Sequence, residues 1–183
     1  IRVFIRMRTV NGCVVNTWRT FSFCLLLFVT SAGHAAPDVY DVSKVKSAYI
    51  YNFIQYVTWP EEGSLTTFNI GYYGENKAYY QSLLRIQGKQ VRSFKLKVHK
   101  VTSLARNQTL QLLVVDKNKS NSLFGIAEKF RNNSVLLVSD HASDKKNTML
   151  NFVSTDSNTL SFELNRYNMR DSQFGIQHIV AIK

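Results

Sequence analysis

The sequence predicts one three-layer α/β domain, with a mixed, mainly parallel sheet flanked by helices. Two observations carry most of that prediction. Residues 110–116 (LQLLVVD) and 135–140 (VLLVSD) are short, continuous apolar runs, the pattern of central parallel strands buried on both faces, and the segment between them repeats at helical spacing. A third observation concerns the layers: residues 41–60 hold the longest clean amphipathic pattern in the chain, with an apolar arc wide enough to need a sheet as its partner. The 183 residues are 45% hydrophobic and 19% charged, a balance that suits one compact domain with a substantial core.

Residues 41–60 (DVSKVKSAYIYNFIQYVTWP) read as a single helix. At about 100° per residue, Val42, Val45, Tyr49, Ile50, Phe53, Ile54, Tyr56 and Val57 share one apolar arc. The other face carries Lys44, Ser47, Gln55 and Thr58, with Tyr51 in its middle. Asp41 is placed to cap the amino end, and Pro60 disfavours the α region at Trp59, so the helix is expected to stop there. Tyr51 stands where a packing helix takes Lys or Glu, and Trp59 closes the helix beside a proline. Rigid amphipathic aromatics in such positions are candidate partner anchors, against the plainer reading of a helix that only covers a core.

After a turn at residues 61–64, Phe68, Ile70 and Tyr72 alternate with Asn69, Gly71 and Tyr73, and Gly74 closes this strand. Tyr79, Tyr80, Leu83 and Leu84 then recur at helical spacing up to Gly88, read as a helix C-terminal glycine. Phe94, Leu96 and Val98 alternate with Lys95, Lys97 and His99, a strand with one wet face and an expected place at the sheet edge. Between the two apolar runs, Leu123, Phe124, Ala127 and Phe130 give the helix of a right-handed βαβ crossover. Residues 148–153 and 159–165 flank the turn-rich STDSN and read as an antiparallel hairpin. Phe174, Ile176, Val180 and Ile182 fit a last strand that starts at Gly175.

The amino-terminal fifth of the sequence is of another kind. Met7 is the first methionine, so residues 1–6 are expected to lie upstream of the start. From there Arg8 and Arg19 precede an apolar run at residues 21–29 and the small residues Ser31, Ala32, Gly33, Ala35 and Ala36, the order of a secretory signal peptide. The run is shorter than the roughly 20 residues that span a bilayer. Residues 7–35 are therefore expected to be a cleaved leader, and residues 36–183 the exported domain. Cys13 and Cys24 both fall in the leader, so the exported domain holds no thiol and no thiolate metal site. Without Arg2, Arg6, Arg8 and Arg19, 19 basic residues face 12 acidic ones, a net charge of +7. These cations are scattered and no helix gathers them with aromatics, which argues against nucleic-acid binding.

Both apolar runs end in aspartate, and in open α/β sheets ligands bind beyond the carboxyl ends of the strands. Asp116, Ser139 and Asp140 are thus candidate ligand-binding residues, with helix capping or turn tightening as the competing role. His99, His141 and His178 show no ligand spacing, and no nucleophile elbow, phosphate loop or zinc-protease motif is present. Glu163 faces away from Phe162 and Leu164 and is read as exposed or salt-bridged. An acid/base role for it would require a partner that the sequence does not supply. The expectation is a protein that is not an enzyme, with no metal and no cofactor.

The stretch VKSAYIYNFIQYVTWP resembles the opening signature of the YfiR/HmsC family, carried here by Lys46, Tyr49, Tyr51, Asn52, Phe53, Trp59 and Pro60. The likeness continues through VLLVSD, through Phe162, Glu163 and Asn165 of LSFELN, and through Phe174, Gly175 and Ile176. It implies a periplasmic, non-catalytic regulator that binds the periplasmic region of an inner-membrane diguanylate cyclase and represses it, lowering cyclic di-GMP and biofilm formation, with an outer-membrane lipoprotein as a releasing partner. Tyr51, Asn52 and Trp59 are the candidate contacts for such a partner, and by the resemblance Lys46, Tyr49, Phe53, Pro60, Phe162, Glu163, Asn165 and Gly175 are structural. The alternative is a periplasmic ligand-binding or sensor subunit serving a TonB-type receptor, transporter or sensor kinase, and an unrecognised hydrolase is third. Monomer and homodimer are both open. The chain departs from the family where Asn147 and Thr148 replace a glycine pair, and at residues 168–173, which lack the usual alanines and glycine. The cysteine pairs frequent in relatives are also missing from the expected exported domain, which leaves redox-linked control open.

Overall fold

A computed structural model of the chain describes residues 2–3, 41–60, 62–105, 109–131, 133–156 and 159–176. The leader, its cleavage point, both cysteines and His178 lie outside them. Helix α1 (Val42–Tyr56) begins at Asp41, whose Oδ1 accepts from Ser43 N at 3.1 Å and Lys44 N at 3.4 Å. It ends at Tyr56, earlier than the tryptophan–proline pair implies. The reason is Arg92, which donates to the carbonyls of Ile54 (3.0 Å), Gln55 (2.9 Å) and Val57 (3.2 Å) while pairing with Glu62 at 2.9 Å. A cation that satisfies the last carbonyls of a helix stops it without any help from proline.

The chain leaves α1 through the short strand β2 (Val57–Thr58) and enters β3 (Thr67–Tyr73). Helix α2 (Lys77–Leu84) follows, capped by Asn76 Oδ1 on Tyr79 N at 3.1 Å. It stops short of Gly88, and turns carry the chain on to that residue, whose φ of 78° favours glycine. A two-residue strand, β4 (Gln90–Val91), turns back into β5 (Phe94–Lys100). Then β6 (Leu112–Val115), α3 (Leu123–Phe130) and β7 (Leu136–Asp140) form the expected crossover, and β8 (Leu150–Asp156) with β9 (Thr159–Leu164) forms the expected antiparallel hairpin.

The strand order is β9-β8-β7-β6-β3-β5-β4, with β3, β5, β6, β7 and β8 parallel and β4 and β9 antiparallel. β5 therefore lies one strand in from the edge, because the short β4 covers it. At the other end, β1 (Arg2–Val3) pairs antiparallel with β9 at Glu163 and Phe162 and is the eighth, outermost strand. Side chains alternate between the two faces. Leu112, Val114, Leu136 and Val138 pack with α1 and α2 on one side. Leu113, Val115, Leu137 and Val135 pack with Leu123, Ile126 and Phe130 of α3 on the other. The domain is thus a three-layer α/β structure with a mixed, mainly parallel sheet.

The carboxyl end differs from the sequence reading. Helix α4 (Arg166–Asp171), capped by Asn165 Oδ1 on Asn168 N at 3.2 Å, fills a stretch for which no element was expected. Beyond it, β10 (Gly175–Ile176) pairs antiparallel with β2 instead of joining the main sheet. Val180 and Ile182 lie outside the described residues.

Candidate functional site

Asp116 and Asp140 stand at the same end of adjacent parallel strands, as their sequence positions require. The connections from β3 and β6 run to helices on opposite faces, which makes the gap between these strands the switch point where ligands bind in open sheets. Here Asp116 fills it. Its Oδ2 accepts from Glu75 N at 3.3 Å and Asn76 N at 3.2 Å, and its Oδ1 accepts from Lys117 N at 2.9 Å. Gly74 passes so close that an added Cβ would meet Asp116 Cβ at 2.1 Å. The carboxylate is a turn clamp.

Asp140 has a different partner. Lys46, on the sheet side of α1 and only 8% exposed, donates to Asp140 Oδ2 at 2.6 Å, and His141 Nδ1 donates to Oδ1 at 2.6 Å. Ser154 N donates to His141 Nε2 at 3.1 Å, which assigns the proton to Nδ1. The ammonium of Lys46 also lies 5.5 Å from the Tyr79 ring centroid. The Tyr79 hydroxyl is buried without a hydrogen-bond partner, and burial, followed by the charge of Asp140, pushes its pKa well above the usual value. Ser139 closes a buried chain, with its Oγ at 2.9 Å from both Thr148 Oγ1 and Asn151 Oδ1. Every strand-end candidate is therefore engaged inside the fold, and Lys46 makes this end the anchor of α1. Its place on the arc with Val42, Tyr49, Ile50 and Phe53 was visible in the spacing. The helical reading assigns it to neither face, and only the family resemblance names it as structural.

The aromatic signature divides in two. Tyr49 and Phe53 pack against Phe152 and Phe162 with centroids 4.9–6.1 Å apart. Trp59, read as a candidate partner anchor, is a core residue: 3% exposed, it packs edge-on to Phe68 at 4.7 Å and Phe174 at 5.7 Å, and its Nε1 donates to Gln111 O at 2.8 Å. The early helix end turns its ring inward, and Trp59 cannot contact a partner without unpacking. Tyr56, placed on the apolar arc, is 44% exposed, whereas Ser47, placed on the polar face, is buried. Pro60 is half-buried, Glu163 pairs with Lys145 at 2.9 Å, and Gly175 lets its backbone approach Thr58.

Tyr51 and Asn52 remain toward solvent. Tyr51 is half-buried with the Lys89 ammonium 4.8 Å from its ring centroid, and Asn52 is exposed. Together with Lys44, Ser82, Arg85 and Lys89 they line a groove of about 260 Å³ between α1 and α2. The substituted residues Asn147 and Thr148 lie elsewhere, in a cleft of about 360 Å³ between α3 and α4. There Asn168 Nδ2 donates to Lys146 O at 2.7 Å and Thr148 O at 3.0 Å, so the two departures from the family pattern touch each other.

Two comparisons bear on what this arrangement does. The family model described as YfiR/HmsC-like matches residues 43–180. No curated protein matches the chain.

Proposed function

The chain belongs to the YfiR/HmsC-like family, and from that premise we propose that it is exported to the periplasm, binds the periplasmic region of an inner-membrane diguanylate cyclase, and represses it. Family membership supports a regulatory rather than catalytic protein acting in diguanylate cyclase signalling. The observation that carries the finer reading is the division of the opening signature. Lys46, Tyr49, Phe53 and Trp59 are buried, while Tyr51 and Asn52 of the same motif face the solvent groove. A side chain that packs the core needs no partner to account for it. An aromatic and an amide held at the surface beside a cation form the amphipathic contact that interfaces use.

A ligand-sensing role for the strand ends receives no such support, since Asp116, Ser139 and Asp140 already spend their polar atoms on Asn76, Thr148, Asn151 and Lys46. The test is pull-down of the cyclase from membranes by the wild-type chain and by Tyr51→Ala and Asn52→Ala variants. Wild type retains the cyclase and at least one variant loses it while melting normally. Equal retention by all three would remove the interface from this face of α1.

A further inference from the structure

We propose that the groove between α1 and α2 takes an acidic segment of a partner protein, with Arg85 and Lys89 meeting its carboxylates and Tyr51 forming the floor. This deepens the reading above and rests on it only for which protein supplies the segment. Three cations, Lys44, Arg85 and Lys89, stand along the groove, and no carboxylate lines it. Lys44 is held by Asp41 at 3.5 Å. Arg85 has no ion partner among the described residues, and the described contact of Lys89 is the Tyr51 ring.

That arrangement differs from two other aromatic–cation contacts of the domain. Lys46, over Tyr79, is neutralised by Asp140, and Lys100, over Tyr72 and Tyr80, donates to Gly74 O. Arg85 and Lys89 thus line the groove without a carboxylate partner among the described residues, and a cationic concavity of this kind selects partners of opposite sign and speeds their encounter. An ammonium stacked on a tyrosine is fixed in place by the ring quadrupole, so less side-chain entropy is lost when a carboxylate arrives. The Arg85 guanidinium adds a planar fork suited to two-point carboxylate contact. Asn52 supplies a neutral amide beside them for backbone groups of the incoming chain.

Two measurements on the purified full chain test the proposal. The first is fluorescence anisotropy with labelled hexaglutamate, comparing wild type, Arg85→Glu/Lys89→Glu, and Lys95→Glu/Lys97→Glu, a control with the same charge change on exposed residues of β5. Wild type and control bind, the groove variant loses affinity by about tenfold or more, and binding weakens as salt is raised. Equal loss in both variants, or no binding by wild type, overturns the proposal. So does loss by the groove variant of binding to phosphatidylglycerol vesicles when hexaglutamate is ignored, which would assign the groove to a membrane surface. The second is cyclase pull-down with the same variants. A cyclase retained by Arg85→Glu/Lys89→Glu sinks the groove and leaves the regulator reading standing, whereas hexaglutamate binding without any cyclase binding sinks the regulator reading and leaves the groove.

Discussion

Lys46 and Asp140 join the first helix to the end of the central sheet through one buried contact of 2.6 Å. A buried pair adds little net stability relative to an apolar replacement, but removing one member leaves an uncompensated charge. Asp140→Ala should therefore cost about 3–5 kcal/mol in urea unfolding, and Lys46→Met/Asp140→Leu should cost clearly less than that single change. If the double variant is the less stable of the two, the pair is a net stabiliser and not a registration device. His99 gives a smaller, pH-dependent effect. Burial, then the nearby Lys97, holds its pKa below the ordinary 6.5, so the folded state disfavours the proton. Its contribution is complete above that ordinary value and is lost as pH falls toward the depressed one. Melts of His99→Gln should lose less stability on acidification than wild type, and parallel curves would contradict this.

Among the elements, α1 shows what sequence can and cannot reveal. The Asp41 cap, the buried strands β6 and β7, the crossover helix α3 and the β8–β9 hairpin follow from local signals: capping chemistry, apolar continuity and period. The end of α1 does not. It is set by Arg92, which lies 37 residues from Gln55 in sequence, at a left-handed position of φ 47° in a tight turn. Trp59 was misplaced for the same reason, since the shorter helix turns its ring into the core. The β10–β2 pairing was equally hidden, because both strands have only two residues and no pattern to read. Trp59→Ala should accordingly cost about 3–5 kcal/mol, while Tyr51→Ala, at a half-buried ring on the margin of the core, should cost clearly less. Similar melting of the two variants would return Trp59 to the surface. Arg92→Ala should loosen the α1 terminus, costing about 1–3 kcal/mol from its charged hydrogen bonds, with early hydrogen exchange at Val57 as the local readout.

At the scale of the whole molecule, the buried polar cluster, the aromatic core and the cationic groove occupy different depths of α1. The inner side of the helix ties down the fold, and the outer side carries the groove proposed for recognition. Of the site, the motif and its members were legible in the sequence, but not which were buried, because that depends on distant partners, as when Lys46 meets Asp140 across 94 residues of chain. Export is a separate expectation from the leader pattern. Mass spectrometry of the periplasmic fraction should find a chain beginning near Ala36, and an intact Met7 start would contradict it. The central claim is that the outer face of α1 restrains a diguanylate cyclase, and cellular cyclic di-GMP tests it most directly when wild type, Tyr51→Ala and Arg85→Glu/Lys89→Glu chains are expressed at equal folded levels. A rise in both variants toward the level of cells lacking the protein is the predicted result. Unchanged cyclic di-GMP in both, with folding intact, would contradict the account.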